Sequence, residues 1–157
     1  MSENSLCLSL SSPEETRDFA ERLAPLLSAG DVLLLEGDIG AGKTHFARSI
    51  IQALLDEAED VPSPTFTLVQ CYDTPDFEVW HADLYRLTSP DEVVELGLND
   101  AFEDALCLVE WPDRLAELRP NRALLLFLKM SDVPGERTLK ISWTAPRWTP
   151  LMNEILR

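Results

Sequence analysis

The chain has 157 residues, 28 acidic against 13 basic, for a formal charge of −15 at pH 7. That length supports one domain spanning residues 1–157 with a core of its own, needing neither disulfides nor a structural metal. The charge repels a phosphate backbone, and no block of Lys or Arg forms a local basic patch, so tight direct binding to nucleic acid is excluded.

Taken from the N-terminus, Leu6, Leu8 and Leu10 alternate with Cys7 and Ser9 and predict a first strand. Ser12-Pro13-Glu14-Glu15 then opens a helix: Ser12 can cap, Pro13 suits the first helical position, and Glu15 can complete a capping box. Phe19, Leu23, Leu26 and Leu27 supply its buried face, Pro25 ends its regular part, and Gly30 suits the turn into the next strand. Val32 to Leu35 is a short, wholly apolar run of the kind buried on both faces of a sheet.

Directly after it comes Gly37-Asp38-Ile39-Gly40-Ala41-Gly42-Lys43-Thr44, which fits G-x-x-x-x-G-K-[ST]. Phe46, Ala47, Ile50, Ile51, Leu54 and Leu55 follow at helical spacing. Strand, glycine-rich turn and helix form the context a phosphate-binding loop requires. Its glycines let successive N–H groups point inward at phosphate oxygens, and the positive end of the helix adds attraction. Lys43 would reach the outer phosphates, and the Thr44 hydroxyl would be a ligand of Mg²⁺.

Beyond that helix, Pro62 and Pro64 hold residues 61–66 in an extended path. Thr67 to Tyr72 and Phe77 to Ala82 read as strands joined by Asp73-Thr74-Pro75-Asp76, an antiparallel hairpin. Ser89-Pro90-Asp91-Glu92 begins a short helix that Gly97 ends, and a second spans Asn99 to Asp104. Leu106 to Val109 is a buried strand closing in Glu110-Trp111-Pro112. Ala123 to Leu128 and Thr138 to Trp143 are late strands, with Pro134-Gly135 turning between them. Trp148, Leu151, Met152 and Ile155 place an amphipathic helix in the tail, residues 146–157, with core packing as its role. The fold class is therefore α/β, a P-loop nucleotide-binding fold with a mixed sheet of parallel strands and an antiparallel hairpin, flanked by helices. No run approaches the roughly eighteen apolar residues of a membrane span, and the first residues carry no secretory signal, which points to a cytoplasmic protein. Cys7, Cys71 and Cys107, odd in number and set in apolar runs, read as reduced, buried thiols.

A hydrolytic nucleotide site also needs a carboxylate on the metal side and a group that orients the attacking water. Glu110 and Asp83 each close an apolar strand and are both candidates.

The P-loop at 37–44, Ser-Pro-Thr-Phe at 63–66, His-Ala-Asp-Leu-Tyr-Arg-Leu at 81–87 and Val-Glu-Trp at 109–111 together resemble the TsaE (YjeE) family in residues, order and spacing. The resemblance covers roughly residues 5 to 143. It implies a small P-loop ATPase of the bacterial machinery that makes threonylcarbamoyladenosine at position 37 of tRNA. The implied cofactors are ATP/ADP and Mg²⁺. The implied partner is the TsaB–TsaD heterodimer, with tRNA met only indirectly and no membrane involved. It implies that Lys43 holds the outer phosphates, that Thr44 and Glu110 bind Mg²⁺, and that Asp83 acts near the attacking water. Thr65 would belong to a switch that closes on the γ-phosphate, while Ser12 and Thr16 would border the adenine. His81, Tyr85, Arg86 and Trp111 match motif positions without an assigned role, Arg86 being the motif arginine expected near the cleft. Two departures stand out: Arg48-Ser49 replaces the usual Arg-Gly, and the tail beyond Arg137 matches no family pattern. Rival readings are a small-metabolite kinase, for which an Arg-rich lid is missing, and a GTPase, for which N-K-x-D is missing. A third is a non-enzymatic adaptor holding ATP as a structural ligand.

Overall fold

A computed structural model describes residues 3–55, 60–62, 64 and 68–156. Seven strands form one sheet in the order β1-β7-β6-β2-β5-β4-β3. Its centre is parallel: β2 (Val32–Glu36) lies between β5 (Leu106–Glu110) and β6 (Leu124–Met130), and β4 (Glu78–Asp83) runs parallel to β5. Both margins are antiparallel. On one side β7 (Arg137–Trp143) pairs β6 and then β1 (Asn4–Leu10); on the other, β3 (Val69–Asp73) pairs β4 as the expected hairpin.

β2 is apolar from Val32 to Leu35 because helices cover both faces of the sheet. Leu33 and Leu35 face α1 (Pro13–Leu23), α2 (Lys43–Leu54) and α5 (Trp148–Ile155), packing with Phe19, Phe46, Ile50 and Trp148. Val32 and Leu34 face α3 (Asp91–Glu95) and α4 (Leu98–Asp104) on the opposite side, with Val93, Leu98 and Phe102. Period-two alternation thus divides each central strand between two cores.

The tail helix is held by more than its apolar face. Arg147 grips Asp31 at the foot of β2 through two contacts, Nε–Oδ1 at 2.8 Å and Nη2–Oδ2 at 2.6 Å. Trp148 is buried and donates its indole N–H to the Arg122 carbonyl at 2.7 Å. The segment with no family pattern therefore packs against the strand that carries the phosphate loop.

Local signals differ from the sequence reading in detail. Ser12 accepts the Glu15 N–H at 3.2 Å as expected, but the Glu15 carboxylate reaches back to the N–H of Ser11 and not to that of Ser12. Pro90 takes the N-cap place of α3, so that helix starts at Asp91, and Ser89 accepts the Asp91 N–H at 3.2 Å. Gly97, at φ +80°, ends α3 and also begins α4 at Leu98.

The thiols are a correction. Cys107 is buried, and that burial pushes its pKa up to about 12. Cys7 and Cys71 are exposed. Both sit on edge strands, where the alternation that half-buries Leu6 and Leu8 and buries Tyr72 turns the neighbouring residue outward. Among the described residues, no helix is long and apolar enough to cross a membrane.

Candidate nucleotide site

The P-loop connects the end of β2 to the start of α2, and its shape depends on glycine at two places. Gly37 has φ +144°, and a Cβ there would lie 2.4 Å from the Leu128 carbonyl oxygen of β6. Gly42 forms the left-handed N-cap of α2 at φ +102°. The loop is also held from outside: Arg137, at the start of β7, donates to the carbonyls of Ala41 at 2.8 Å and Gly40 at 3.2 Å. Carbonyls turned outward onto a guanidinium leave the loop's N–H groups for the inner side. Arg86, the motif arginine expected near the cleft, is not among its lining residues, and it is Arg137 that reaches the phosphate loop. The signal was the Gly135-Glu136-Arg137 turn, whose sequence position gave no hint of an approach to residues 40 and 41.

Parallel pairing sets Asp83 directly opposite Glu110, so β4 and β5 deliver both candidate acids to the same sheet edge. The structure thus brings together the two acids that the sequence left as alternatives. Both are buried, at 6% and 2% exposure. The Thr44 hydroxyl lies 2.8 Å from Oε1 and 3.0 Å from Oε2 of Glu110, joining the first turn of α2 to the end of β5. On the other side of Glu110, Nε2 of His81 lies 2.7 Å from Oε2. Asp83 accepts the Tyr85 N–H at 3.1 Å.

Lys43 is also buried, and its ammonium donates to the Gly37 carbonyl. It lies 3.5 Å from the centroid of the Trp111 ring, a cation–π contact. Burial lowers the Lys43 pKa, with the nearby carboxylates of Glu110 and Asp83 pulling the other way. Trp111 holds a left-handed backbone, φ 60° and ψ 55°, which is strained for so bulky a residue. Its ring packs against Tyr85 at 4.9 Å.

These groups line a cleft of about 390 Å³. Of the residues expected there, Ile39, Gly40, Gly42, Lys43, Thr44, Asp83 and Glu110 line it, and His45, Tyr85 and Trp111 join them. Asp38 and Ala41 shape the loop from within, the Ala41 N–H bonding the Asp38 carbonyl at 3.0 Å. Ser12 and Thr16 are not among the lining residues. Ser12 caps α1, and the buried Thr16 hydroxyl bonds the Ser12 carbonyl at 3.3 Å. Their helix meets the site through Pro13, whose carbonyl lies 3.0 Å from Nε2 of His45. Thr65 lies outside the described residues.

The donor set suits a small, hard cation. Among the described residues, no three His, Cys, Asp or Glu side chains converge as a metal cage. One hydroxyl beside one carboxylate is what Mg²⁺ uses when phosphate oxygens and water complete its shell.

The family described as "Threonylcarbamoyl adenosine biosynthesis protein TsaE" matches residues 10–139. The chain belongs to the TsaE family. It is 45% identical over 123 residues to a "tRNA threonylcarbamoyladenosine biosynthesis protein TsaE" of Rickettsia bellii, covering 78% of this chain and 85% of that one. A protein of the same description from Bacillus subtilis is 36% identical over 146 residues, 92% and 90% of the two chains. Crystalline YdiB of Bacillus subtilis superposes with a TM-score of 0.83 at 30% identity, covering 100% of this chain and 97% of that one. TsaE membership gives the chain a P-loop nucleotide-binding fold and a role in threonylcarbamoyladenosine biosynthesis.

Proposed function

We propose that the cleft binds ATP with Mg²⁺ and hydrolyses it, in the cytoplasm, to support turnover of the TsaB–TsaD heterodimer that modifies tRNA. One observation carries this reading. Thr44 and Glu110 meet at 2.8 Å while Asp83 stands opposite Glu110 across the strand pair, so a phosphate loop, a metal-side carboxylate and a second acid share one edge. A loop that only bound phosphate would need neither acid buried there.

Placement in the cleft and the family resemblance support the following roles. The N–H groups of the loop other than that of Ala41, which the Asp38 carbonyl holds, and the positive end of α2 would take the phosphates. Lys43 would exchange the Gly37 carbonyl and the Trp111 face for the outer phosphates, a charge-assisted contact in a dry site. Thr44 and Glu110 would hold Mg²⁺, which when bound neutralises charge across the β- and γ-phosphates. Asp83 would orient the attacking water and accept its proton. Thr65 takes the γ-phosphate contact that the family resemblance gives it, and Ser12 and Thr16 the adenine border.

No arginine lines the cleft among the described residues. The isolated protein should therefore hydrolyse ATP slowly. A partner that supplies a cation or orders the site would raise the rate by about 10³–10⁵. With a surface of charge −15, the chain would reach tRNA through TsaB–TsaD and not by its own contact. Phosphate release from ATP, measured with and without TsaB–TsaD, tests the reading. Stimulation supports it, while ATP binding without hydrolysis in either case would make the protein an adaptor.

A further inference from the structure

We propose that His81 is a positioning residue for Glu110, fixing which carboxylate oxygen faces the cation. This rests on the reading of Glu110 as the metal-side carboxylate. Strand alternation puts Val79, His81 and Asp83 on one face of β4, and the β4–β5 register sets His81 beside Leu108, two residues before Glu110. The imidazole is fully buried and reaches along the strands to Oε2 at 2.7 Å. A ring nitrogen facing a carboxylate must carry the hydrogen, since two acceptors at that distance repel.

Thr44 alone does not orient this carboxylate. Its hydroxyl is nearly equidistant from the two oxygens, 2.8 and 3.0 Å, so it favours neither. His81 meets only Oε2 and breaks that symmetry, so that Oε1, which among the described residues accepts only from Thr44, keeps a lone pair for a cation. The arrangement has a cost. The other ring nitrogen, Nδ1, is buried and finds no hydrogen-bond partner among the described residues. A histidine kept only to fill the core would leave one polar atom unmet for no return, where an aliphatic side chain would pack without loss. A fixed carboxylate matters most for Mg²⁺, which demands near-ideal octahedral geometry, and less for the larger, more tolerant Ca²⁺.

Two substitutions of similar polarity separate positioning from packing. Gln at this site carries its N–H₂ near the place of Nε2, whereas Asn carries it near Nδ1, short of Glu110. ADP binding to the full chain is measured by calorimetry in EDTA, in Mg²⁺ and in Ca²⁺. His81→Asn should lose the Mg²⁺ enhancement by about 10–100-fold, the usual effect of losing a partner of a metal ligand. Its affinity in EDTA should stay unchanged, and its preference for Mg²⁺ over Ca²⁺ should narrow. His81→Gln should keep most of the Mg²⁺ enhancement. If the two variants respond alike to Mg²⁺, whether both normal or both impaired, the proposal is overturned. Glu110→Gln tests the underlying reading separately, because an unchanged Mg²⁺ enhancement there removes Glu110 from the metal whatever His81 does. If neither His81 variant folds, the ring nitrogens of the wild-type chain decide. Nitrogen-15 shifts should show a hydrogen on Nε2, with Nε2 moving when Mg²⁺ joins the ADP complex; an Nε2 without that hydrogen, or no movement, overturns the proposal.

Discussion

Asp83 and Glu110 end neighbouring parallel strands, in register, yet their surroundings are not alike. Glu110 is clamped from two sides, by a hydroxyl from α2 and an imidazole from β4. Asp83 accepts the N–H of Tyr85 and fronts the cleft between the Tyr85–Trp111 pair and the phosphate loop. The strands supply two identical positions, and the side chains around them make the positions unequal. A carboxylate held from two sides suits a ligand that must not move. One that lines the cleft beside the phosphate loop suits the proton exchange proposed for Asp83. The same backbone geometry would thus serve the two chemistries proposed, divided by what crosses over from other elements.

The largest effect expected from breaking this division is at Asp83. Asp83→Asn keeps an oxygen for the Tyr85 N–H but cannot take a proton, so partner-stimulated hydrolysis should fall about 10²–10⁴-fold while Mg²⁺·ATP still binds. Glu110→Gln should do the reverse, weakening the Mg²⁺ dependence of nucleotide binding before it affects anything else. Rate and affinity measured on both variants test the division directly, and swapped phenotypes would reverse the roles without moving the site. Next in size is Lys43→Ala. Losing a charge-assisted contact to phosphate costs about 1.5–3 kcal/mol, an approximately 10- to 150-fold loss of ATP affinity. Unchanged ATP affinity in that variant would remove Lys43 from the phosphates.

Much of this division was legible before any coordinates. The P-loop and its flanks were read from Gly37 to Thr44, and every described strand and α-helix was found within a few residues of its place, while the short 3₁₀ helix Pro112–Leu118 was not foreseen. Local chemistry fixes such things: a glycine at positive φ, a proline at a helix start, an apolar run between turns. From the residues alone the acids could be named but not given separate roles, which only the family resemblance implied, because the β4–β5 register that pairs them depends on which strands become neighbours. His81 was a motif position without a role, since its partner lies 29 residues away in sequence. Arg137 was hidden for the same reason, 96 residues from the carbonyl it holds. The exposed Cys7 and Cys71 show the converse, because an apolar strand does not reveal which of its faces a sheet leaves bare.

Arg137 allows a sharper test of the loop as distinct from the acids. Arg137→Met removes two hydrogen bonds to outward carbonyls while keeping an apolar stem. The site is only partly buried, so about 1–2 kcal/mol is at stake, equivalent to roughly tenfold in nucleotide affinity. The loss should be the same with and without Mg²⁺, because the loop and not the metal side is disturbed. A change confined to the Mg²⁺ complex would show that Arg137 acts through Glu110 or Thr44 instead.

The smallest effect expected is a proton. Burial holds the Lys43 pKa below its ordinary 10.5 in the free protein. A bound phosphate brings negative charge to the same ammonium and raises that pKa again. As pH climbs through the lowered value, the free protein gives up the Lys43 proton before the complex does. Binding in that window must therefore recover a proton, and affinity must fall as pH rises. Calorimetry of ADP binding in two alkaline buffers of different ionisation enthalpy reads the uptake directly, with Lys43→Met as the control that should abolish it. Uptake that persists in Lys43→Met would assign the proton to another group. Release in place of uptake would mean that the phosphates do not approach Lys43 at all, leaving the Trp111 face as its permanent partner.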